Sequence, residues 1–467
     1  MSSLTFVDSS RGKQLLVVDK YKFYKFRTAI DFVTYRCTHR TCTATVRLSG
    51  SEILSECGIH RHDIDEAKFN RQVVSEKAKR KCVDDICERP SKIIRRVLSE
   101  NLPATFTSRD KQYVRRNMYN ARQKKRPFTL PKNMADAHVI LDKMKIDTCK
   151  GEPFLLVNDH DSNIVIFSCP TNLNILSDME TIFVDGTFDF CTKFFKQFFT
   201  VHGIKNGHYV QLAYALLPSK NTAVYEKLFE LLQQTCPLMP ESIVIDFEAA
   251  IHKAARKAWP GVAVIGCRFH IRQSWYRQIQ ALGLQTQYND EKSLEGKWLR
   301  YCFGLPFLNP SAVEDGFSDL ISIRTQGENL EKFSDYLLNN YISSSANFPP
   351  TIWAAMTSSL ERTTNACESF HSRFNESFYH AHPDLFTFVE RLQEFQMDTY
   401  VQIQSMHIHN TVRSTYARKQ IYIDGLIQQY ECNDITRLQF IKRTGYYLCP
   451  DVPKRSTTSQ PNVTSGN

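Results

Sequence analysis

Seven strand-like runs between residues 154 and 266 constrain this chain more than any other feature, because two of them end in an aspartate. Phe154-Leu155-Leu156-Val157 and residues 163–167 flank Asn158-Asp159-His160-Asp161-Ser162, which reads as a hairpin. Runs over 181–184, 198–203 and 208–217 follow, the first ending at Asp185. A helix over 222–234, with Val224, Leu228, Leu231 and Leu232 on one face, leads to Ser242-Ile243-Val244-Ile245 and then Asp246. A helix over 248–258, a run over 262–266 and a helix from about residue 271 complete the series. Meandering strands followed by alternating helices and strands make an α/β fold around one sheet. In that order Asp185 and Asp246 are expected at the ends of neighbouring strands, although 61 residues (246 − 185) separate them.

A third carboxylate, Glu368, lies in the helix-like stretch Asn365-Ala366-Cys367-Glu368-Ser369-Phe370-His371. Hard oxygen donors of this kind suit Mg²⁺ or Mn²⁺, and two ions ~3.5–4 Å apart activate the attacking oxygen and stabilise the leaving one in phosphoryl transfer. Water as nucleophile nicks a strand, and a DNA 3′-hydroxyl joins it. One aspartate after a strand is commonplace, since Asp favours turns. Three carboxylates in such settings are far less so. Glu248 and Asp189 are the nearest competing acids.

Charge supplies the substrate class. The chain has 467 residues, a net charge of +10 and 42% hydrophobic residues, enough for two or three units with a sizeable core. Residues 1–62 carry 10 Lys/Arg against 5 Asp/Glu, residues 63–130 carry 18 against 9, and the remainder carries 31 against 35. A basic front joined to a mildly acidic body points to engagement of double-stranded DNA rather than a small-molecule substrate. Between Asn101-Leu102-Pro103 and Arg126-Pro127, a helix is expected with Tyr113, Val114, Met118 and Tyr119 on its apolar face. Its basic face would offer Arg109, Lys111, Arg115, Arg116 and Arg122 to phosphates, with Lys124, Lys125 and Arg126 just beyond. A solvated helix explains either basic cluster equally well. Lys77-Ala78-Lys79-Arg80-Lys81 and Arg122-Gln123-Lys124-Lys125-Arg126 also suit nuclear import, so a nuclear protein is expected. No apolar stretch approaches the ~18 residues that span a bilayer, and the first residues lack a secretory signal's pattern, so no membrane partner is expected.

Cys37-Thr38-His39-Arg40-Thr41-Cys42 followed by His60-Arg61-His62 supplies the four ligands of a tetrahedral structural zinc. Around them 15–18, 21–26, 32–35 and 43–48 alternate like short strands, a unit too small to be stable without metal. His39 and Cys57 are bystanders on this reading. Of the other cysteines, Cys149, Cys191, Cys236 and Cys302 are expected as small buried apolar residues. The segment resembles the FLYWCH zinc finger: an apolar pair, a Tyr-containing strand, an aromatic two residues before the first Cys, then Cys…Cys…His-x-His. Tyr35 stands where that family usually has Trp. The resemblance implies DNA or protein binding.

A second resemblance covers roughly residues 150–395. Asp185-Gly186-Thr187-Phe188, Asp246-Phe247-Glu248, Cys267-Arg268-Phe269-His270 and Asn365-Ala366-Cys367-Glu368 with His371 are similar, in order, to the motifs of the MULE (Mutator-like) transposase domain. That resemblance implies a DDE-type, ribonuclease-H-like core with Asp185, Asp246 and Glu368 as catalytic triad and Cys267, His270 and His371 as accessory residues. It selects Glu368 over Glu361 and Glu376, and implies an enzyme that acts on DNA as a homo-oligomer. The chain is thus expected to be multidomain: a zinc finger over 11–66, a basic helical connector over 67–135, and a ribonuclease-H-like core over 136–284. A helical insertion over 285–357, with Trp298, Leu299, Phe317, Leu320, Phe333, Tyr336 and Leu337 patterned for burial, precedes the second part of the core and C-terminal helices over 358–450. A disordered tail over 451–467 ends the expected layout. The function expected is metal-dependent cleavage and transfer of DNA strands at element ends. The alternative is a domesticated nuclear factor that binds DNA or protein without transposing.

Overall fold

The structure, a computed structural model, describes residues 5–8, 13–188, 190–359, 362–410 and 414–450; the tail expected over 451–467 and Asp189 and Glu361 lie outside them. Two compact units emerge, one running to Leu130 and including Glu376–His380, the other holding Pro131–Asn375 and the residues from Ala381 onward. No described helix is long and apolar enough to cross a membrane.

In the first unit six strands form an antiparallel meander in chain order: β1 (Thr5–Asp8), β2 (Gln14–Val18), β3 (Tyr21–Thr28), β4 (Val33–Cys37), β5 (Thr45–Ser49) and β6 (Glu52–Cys57). β2 and β3 are joined through Asp19 and Lys20, both at positive φ (45° and 64°), the backbone a tight two-residue hairpin needs. Leu16, Val18, Phe23, Val46 and Leu48 fill one face of the sheet. β1 and β6 are additions to the expected strands; in β6 only Ile53 of the alternating set faces that core.

Three helices follow: α1 (Glu66–Asp84), α2 (Pro90–Glu100) and α3 (Ser108–Lys125). Asp65 caps α1 by accepting from the Lys68 N–H, and Thr107 and Asp110 form a reciprocal capping box at α3. Val74, Ala78, Cys82, Ile93, Ile94, Val97, Val114 and Met118 make their shared core. Arg122 corrects the expected basic face of α3. It follows Val114 and Met118 at four-residue spacing, is buried, and donates to the carbonyls of Cys82, Asp85 and Glu88. Tyr113 and Tyr119, expected on the apolar face, are exposed instead.

The second unit opens with α4 (Met134–Lys143), β7 (Leu155–Asp159), β8 (Ile164–Phe167) and α5 (Pro170–Ser177). Next come β9 (Thr181–Thr187), β10 (Gln197–Lys205), β11 (His208–Leu217), α6 (Thr222–Thr235), β12 (Ser242–Ile245), α7 (Ala249–Ala258), β13 (Ala263–Gly266) and α8 (Arg268–Ala281). The seven strands lie in the order β13-β12-β9-β10-β11-β8-β7. β9, β10 and β11 pair antiparallel, while β12 runs parallel to β9 with Ser242 opposite Thr181 and Val244 opposite Phe183. The expected hairpin, β7 with β8, extends the sheet beside β11. Ile182, Val184, Phe199, Val201, Ile243 and Ile245 pack from the sheet against Tyr225, Leu228, Leu232 of α6 and Ile251, Ala254, Ala255 of α7.

Between residues 285 and 357 the chain is helical: α9 (Gln285–Asn289), α10 (Leu294–Cys302), α11 (Val313–Ser322), α12 (Glu328–Leu337) and α13 (Pro350–Trp353). These are followed by α14 (Asn365–Glu376), α15 (Leu385–Ser405), α16 (Ser414–Glu431) and α17 (Arg437–Leu448). Trp298, Leu299, Phe317, Leu320, Phe333 and Leu337 share one core with Ile271 and Trp275 of α8 and with Phe440 and Ile441 of α17, while Tyr336 is only partly buried against it. The helical segment is therefore built around α8 and α17 rather than simply laid on the sheet. Cys191, Cys236 and Cys302 are buried as expected, but Cys149 is exposed, in the turn before β7.

Candidate metal centres

The parallel pairing of β9 and β12 brings Asp185 and Asp246 to the same sheet end, because Val244 stands opposite Phe183 and each aspartate follows two residues later. Asp185 is nearly buried. Its Oδ2 lies 3.2 Å from His371 Nδ1, and His371 Nε2 lies 3.0 Å from Thr200 Oγ1, which also meets His202 Nε2 at 2.9 Å. Burial works against the Asp185 carboxylate, but its bond to His371 and the charges of His371 and His270 hold its pKa below the ordinary range. Burial pushes His202 down to about 3, so this last ring is neutral. A Cβ at Gly186 would lie 1.8 Å from Nε2 of the buried Gln197 side chain, which would have to move to admit it.

His270 occupies the middle of the acids. Its Nε2 is 3.0 Å from Glu368 Oε1, and its Nδ1 is 3.7 Å from Asp246 Oδ1. Asp185, His270 and Glu368 each bring a ligand atom within 4.8 Å of the others. Burial opposes charging of His270, yet the bonded Cys267 and Glu368, with Asp246 nearby, raise it to about 11. Asp246 is the most open of the three acids, and its backbone is fixed by His252, whose Nε2 donates to the Asp246 carbonyl at 2.7 Å. Glu248 turns away to Lys220, 3.5 Å distant. Glu376 sits at the far end of α14 from Glu368. The carboxylate oxygens gathered here suit a hard divalent cation.

The position of Glu368 is set by residues next to His270. Cys267 Sγ accepts from the Thr364 N–H at 3.2 Å and meets the Thr364 hydroxyl at 3.2 Å, just before α14. Arg268, buried, donates to the carbonyls of Pro306, Ala355, Thr357 and Ser359, and its backbone N–H donates to Arg362 O at 2.9 Å. Burial lowers Arg268 to about 9, with Arg362 adding to the effect. Arg268→Met would leave those four carbonyls without their charged donor. The expected result is a loss of about 3 kcal/mol in urea denaturation. An unchanged midpoint would show that the guanidinium contributes nothing.

Thr200, His202, His252 and Thr364 are absent from the sequence-derived site. The first two carried a signal: in β10, Thr200 and His202 stand at alternate positions in line with Phe198, two polar side chains on one face of a largely apolar run.

Residues 181–274 match the family model of the MULE transposase domain. Asp185, Asp246, Cys267 and His270 lie inside the matched MULE segment, and Glu368 and His371 lie beyond it. The match supports a transposase-related function. A search of curated proteins returned no match.

The first unit holds a second cluster. Cys37 Sγ is 3.3 Å from His62 Nε2, Cys42 Sγ is 3.4 Å from His60 Nδ1, and the two imidazole nitrogens are 3.2 Å apart. A tetrahedral zinc with Zn–S near 2.3 Å and Zn–N near 2.0–2.1 Å sets its ligand atoms roughly 3.3–3.8 Å apart, so the four could hold that ion. Burial pushes the Cys37 thiol up and, with the neighbouring His62, the His60 imidazole down. Tyr21 stacks on His60 at 3.6 Å and fixes the ring plane. His39 stacks on His62 at 4.1 Å without joining the ligand set, and Cys57 is exposed outside it. On α3, Arg109, Arg115, Arg116, Lys124 and Lys125 are exposed and Lys111 is half-buried, as is Arg126 just after the helix.

Proposed function

We propose that this chain is a DDE-type DNA transposase with a ribonuclease-H-like core and an amino-terminal FLYWCH-type zinc finger. One observation carries the reading: Asp185 within β9 and Asp246 just after β12 lie at the same end of neighbouring parallel strands in the MULE-matched segment, with Glu368 joined to Asp246 through His270 and close to Asp185. Bound Mg²⁺ or Mn²⁺ would supply Lewis-acid stabilisation of the attacking and leaving oxygens. Asp185, Asp246 and Glu368 would hold the ions. His371 keeps Asp185 ionised and oriented, His252 holds the Asp246 backbone, and Cys267 with Thr364 sets the start of the helix bearing Glu368. His270 balances the gathered negative charge among the acids. Arg109, Lys111, Arg115, Arg116, Lys124, Lys125 and Arg126 are the phosphate contacts on this reading; Arg122 is not among them, because its charge is spent on backbone carbonyls. The site of action is nuclear double-stranded DNA, and the acting form an oligomer.

The test is nicking and joining of DNA that carries the inverted repeats flanking the gene, with Mn²⁺ and zinc-loaded protein. Asp246→Asn should lower the rate by at least about a thousandfold, the scale of losing a group that acts in the transition state. Tight binding with no cleavage by the wild type would sink the enzyme and favour the non-transposing DNA- or protein-binding factor.

A further inference from the structure

We infer that the outer face of the amino-terminal sheet binds single-stranded nucleic acid, stacking unpaired bases on Tyr24 and Phe26 while Arg27, Arg36 and Arg47 engage the phosphates. The surface belongs to the first unit alone, so the inference stands whether or not the acidic centre cuts DNA.

Side chains alternate across a strand, which gives this sheet two different faces. Leu16, Phe23, Cys37 and Val46 look inward to the ligand cluster. The opposite face is read from the pairing. One row runs Leu15–Tyr24–Arg36–Thr45, and the next runs Arg27–Thr34–Arg47–Ser55. At its β1–β2 end this face is covered: Val17 is buried, and Lys22 donates to Gln72 of α1 at 2.6 Å and lies over the Phe69 ring. From Tyr24 onward it opens. Tyr24 is 39% exposed and Phe26 55%.

The open part is organised. A bulge between Lys25 and Arg27 brings Phe26 out beside Tyr24, edge to face at 6.4 Å. The Arg36 guanidinium lies 5.6 Å from the Phe26 ring centre, and Arg47 lies 5.2 Å from that of Phe32. Rings and guanidinium planes are thus held in place before any ligand arrives. The two rows contain three arginines and no carboxylate.

Arginines alone would fit any polyanion, and the aromatics decide between them. An acidic peptide gives flat rings nothing to stack on. A duplex keeps its bases stacked on one another, so it would use the arginines and leave Tyr24 and Phe26 in water. A single strand offers base faces to the rings and phosphates to the guanidiniums in one repeat.

The full-length, zinc-loaded protein can be titrated by fluorescence anisotropy with a labelled oligothymidylate and with a mixed-sequence duplex of the same length. The double variant Tyr24→Leu/Phe26→Leu keeps charge and bulk but removes the rings. It should bind the single strand roughly tenfold or more weakly, since stacking on one ring accounts for about that factor, and leave duplex binding unchanged. Arg36→Gln/Arg47→Gln should lower the slope of log K against log salt by about 1.4, at about 0.7 for each phosphate no longer neutralised. Phe26→Trp should retain wild-type binding. Unchanged zinc content and melting temperature confirm that the variants fold. Independently of any variant, photocrosslinking of iodouridine-labelled strand to the wild type should map to Tyr24 or Phe26. The inference is overturned by wild-type single-strand affinity in the Leu pair, by equal loss on duplex, or by crosslinks that map elsewhere.

Discussion

The Cys42→Ser chain is expected to lose both its zinc and its amino-terminal sheet, while the second unit stays folded. Six strands of four to eight residues enclose a core of only eight buried apolar side chains, two of which, Cys37 and Cys42, belong to the candidate zinc cluster. So small a core cannot offset the conformational entropy of some fifty ordered residues, at about 1–2 kcal/mol each for the backbone. A structural zinc contributes roughly 10–16 kcal/mol in zinc-finger peptides near neutral pH, and that binding energy is folding energy. Serine offers no thiolate, so most of that contribution disappears. Hydrogen exchange reads the outcome directly: amides of β2 to β5 should exchange near the unfolded rate in the variant and in the chelated wild type. Amides of β9 to β12 should keep their protection. Protected β2–β5 amides without metal would show that the sheet stands alone and that the ligand cluster is incidental.

His371→Ala and Asp185→Asn should separate folding from chemistry. The His371 imidazole is what keeps the buried Asp185 carboxylate ionised. Removing it strands a negative charge, and breaking a buried pair in this way costs about 3–5 kcal/mol. Urea denaturation in magnesium-free buffer should show that loss at pH 7. The sign follows from the depressed pKa of Asp185. Its stabilising contribution is fully present above the unfolded carboxyl value near 4 and disappears as pH falls through the lower folded value. The deficit of His371→Ala should therefore shrink below pH 4. Asp185→Asn removes the charge with its partner left in place, so its stability loss should be smaller. Its cleavage rate should nevertheless fall at least about a thousandfold, because an amide cannot replace the anionic ligand. A His371→Ala protein with wild-type stability would mean that the pair contributes nothing to the fold.

Much of this arrangement is legible in the sequence because its signals are local. In β9 and β12 a short apolar run leads into an aspartate, and the four residues of the Cys/His cluster lie within 26 residues, from Cys37 to His62. That these two strands lie side by side is what the resemblance to a ribonuclease-H-like arrangement implies, and the pairing of β9 with β12 agrees with it. What escapes the sequence is chiefly polar groups that face inward. Arg122 falls in line with Val114 and Met118 at helical spacing, yet a charged residue on a basic helix is read as facing water. Its guanidinium is buried because three backbone carbonyls converge on it, and nothing in the local sequence announces them. Arg268 is the same case, with carbonyl partners 38 to 91 residues away. The alternation of Thr200 and His202 marks a polar face, but the partner that explains it, His371, lies 171 residues from Thr200, and His202 joins that network through Thr200. The placement of His270 between two acids depends on α8 and α14 meeting, and local patterning does not encode that meeting.

The chain leaves the sheet end after Cys267 and comes back to the same sulfur at Thr364. Geometrically the 96 residues between them form a closed loop, pinned at its base by Cys267 and the Arg268 guanidinium. A closed loop can lengthen at its rim without moving its base. The exposed turn at Ser344 and Ser345, joining the chain after α12 to α13, is such a rim. A whole foreign domain spliced in there would leave the distance between Asp185 and Glu368 as it is. Related chains could thus diverge widely in size across this stretch while keeping one acidic geometry, and the same turn offers an attachment point for reporters or targeting modules.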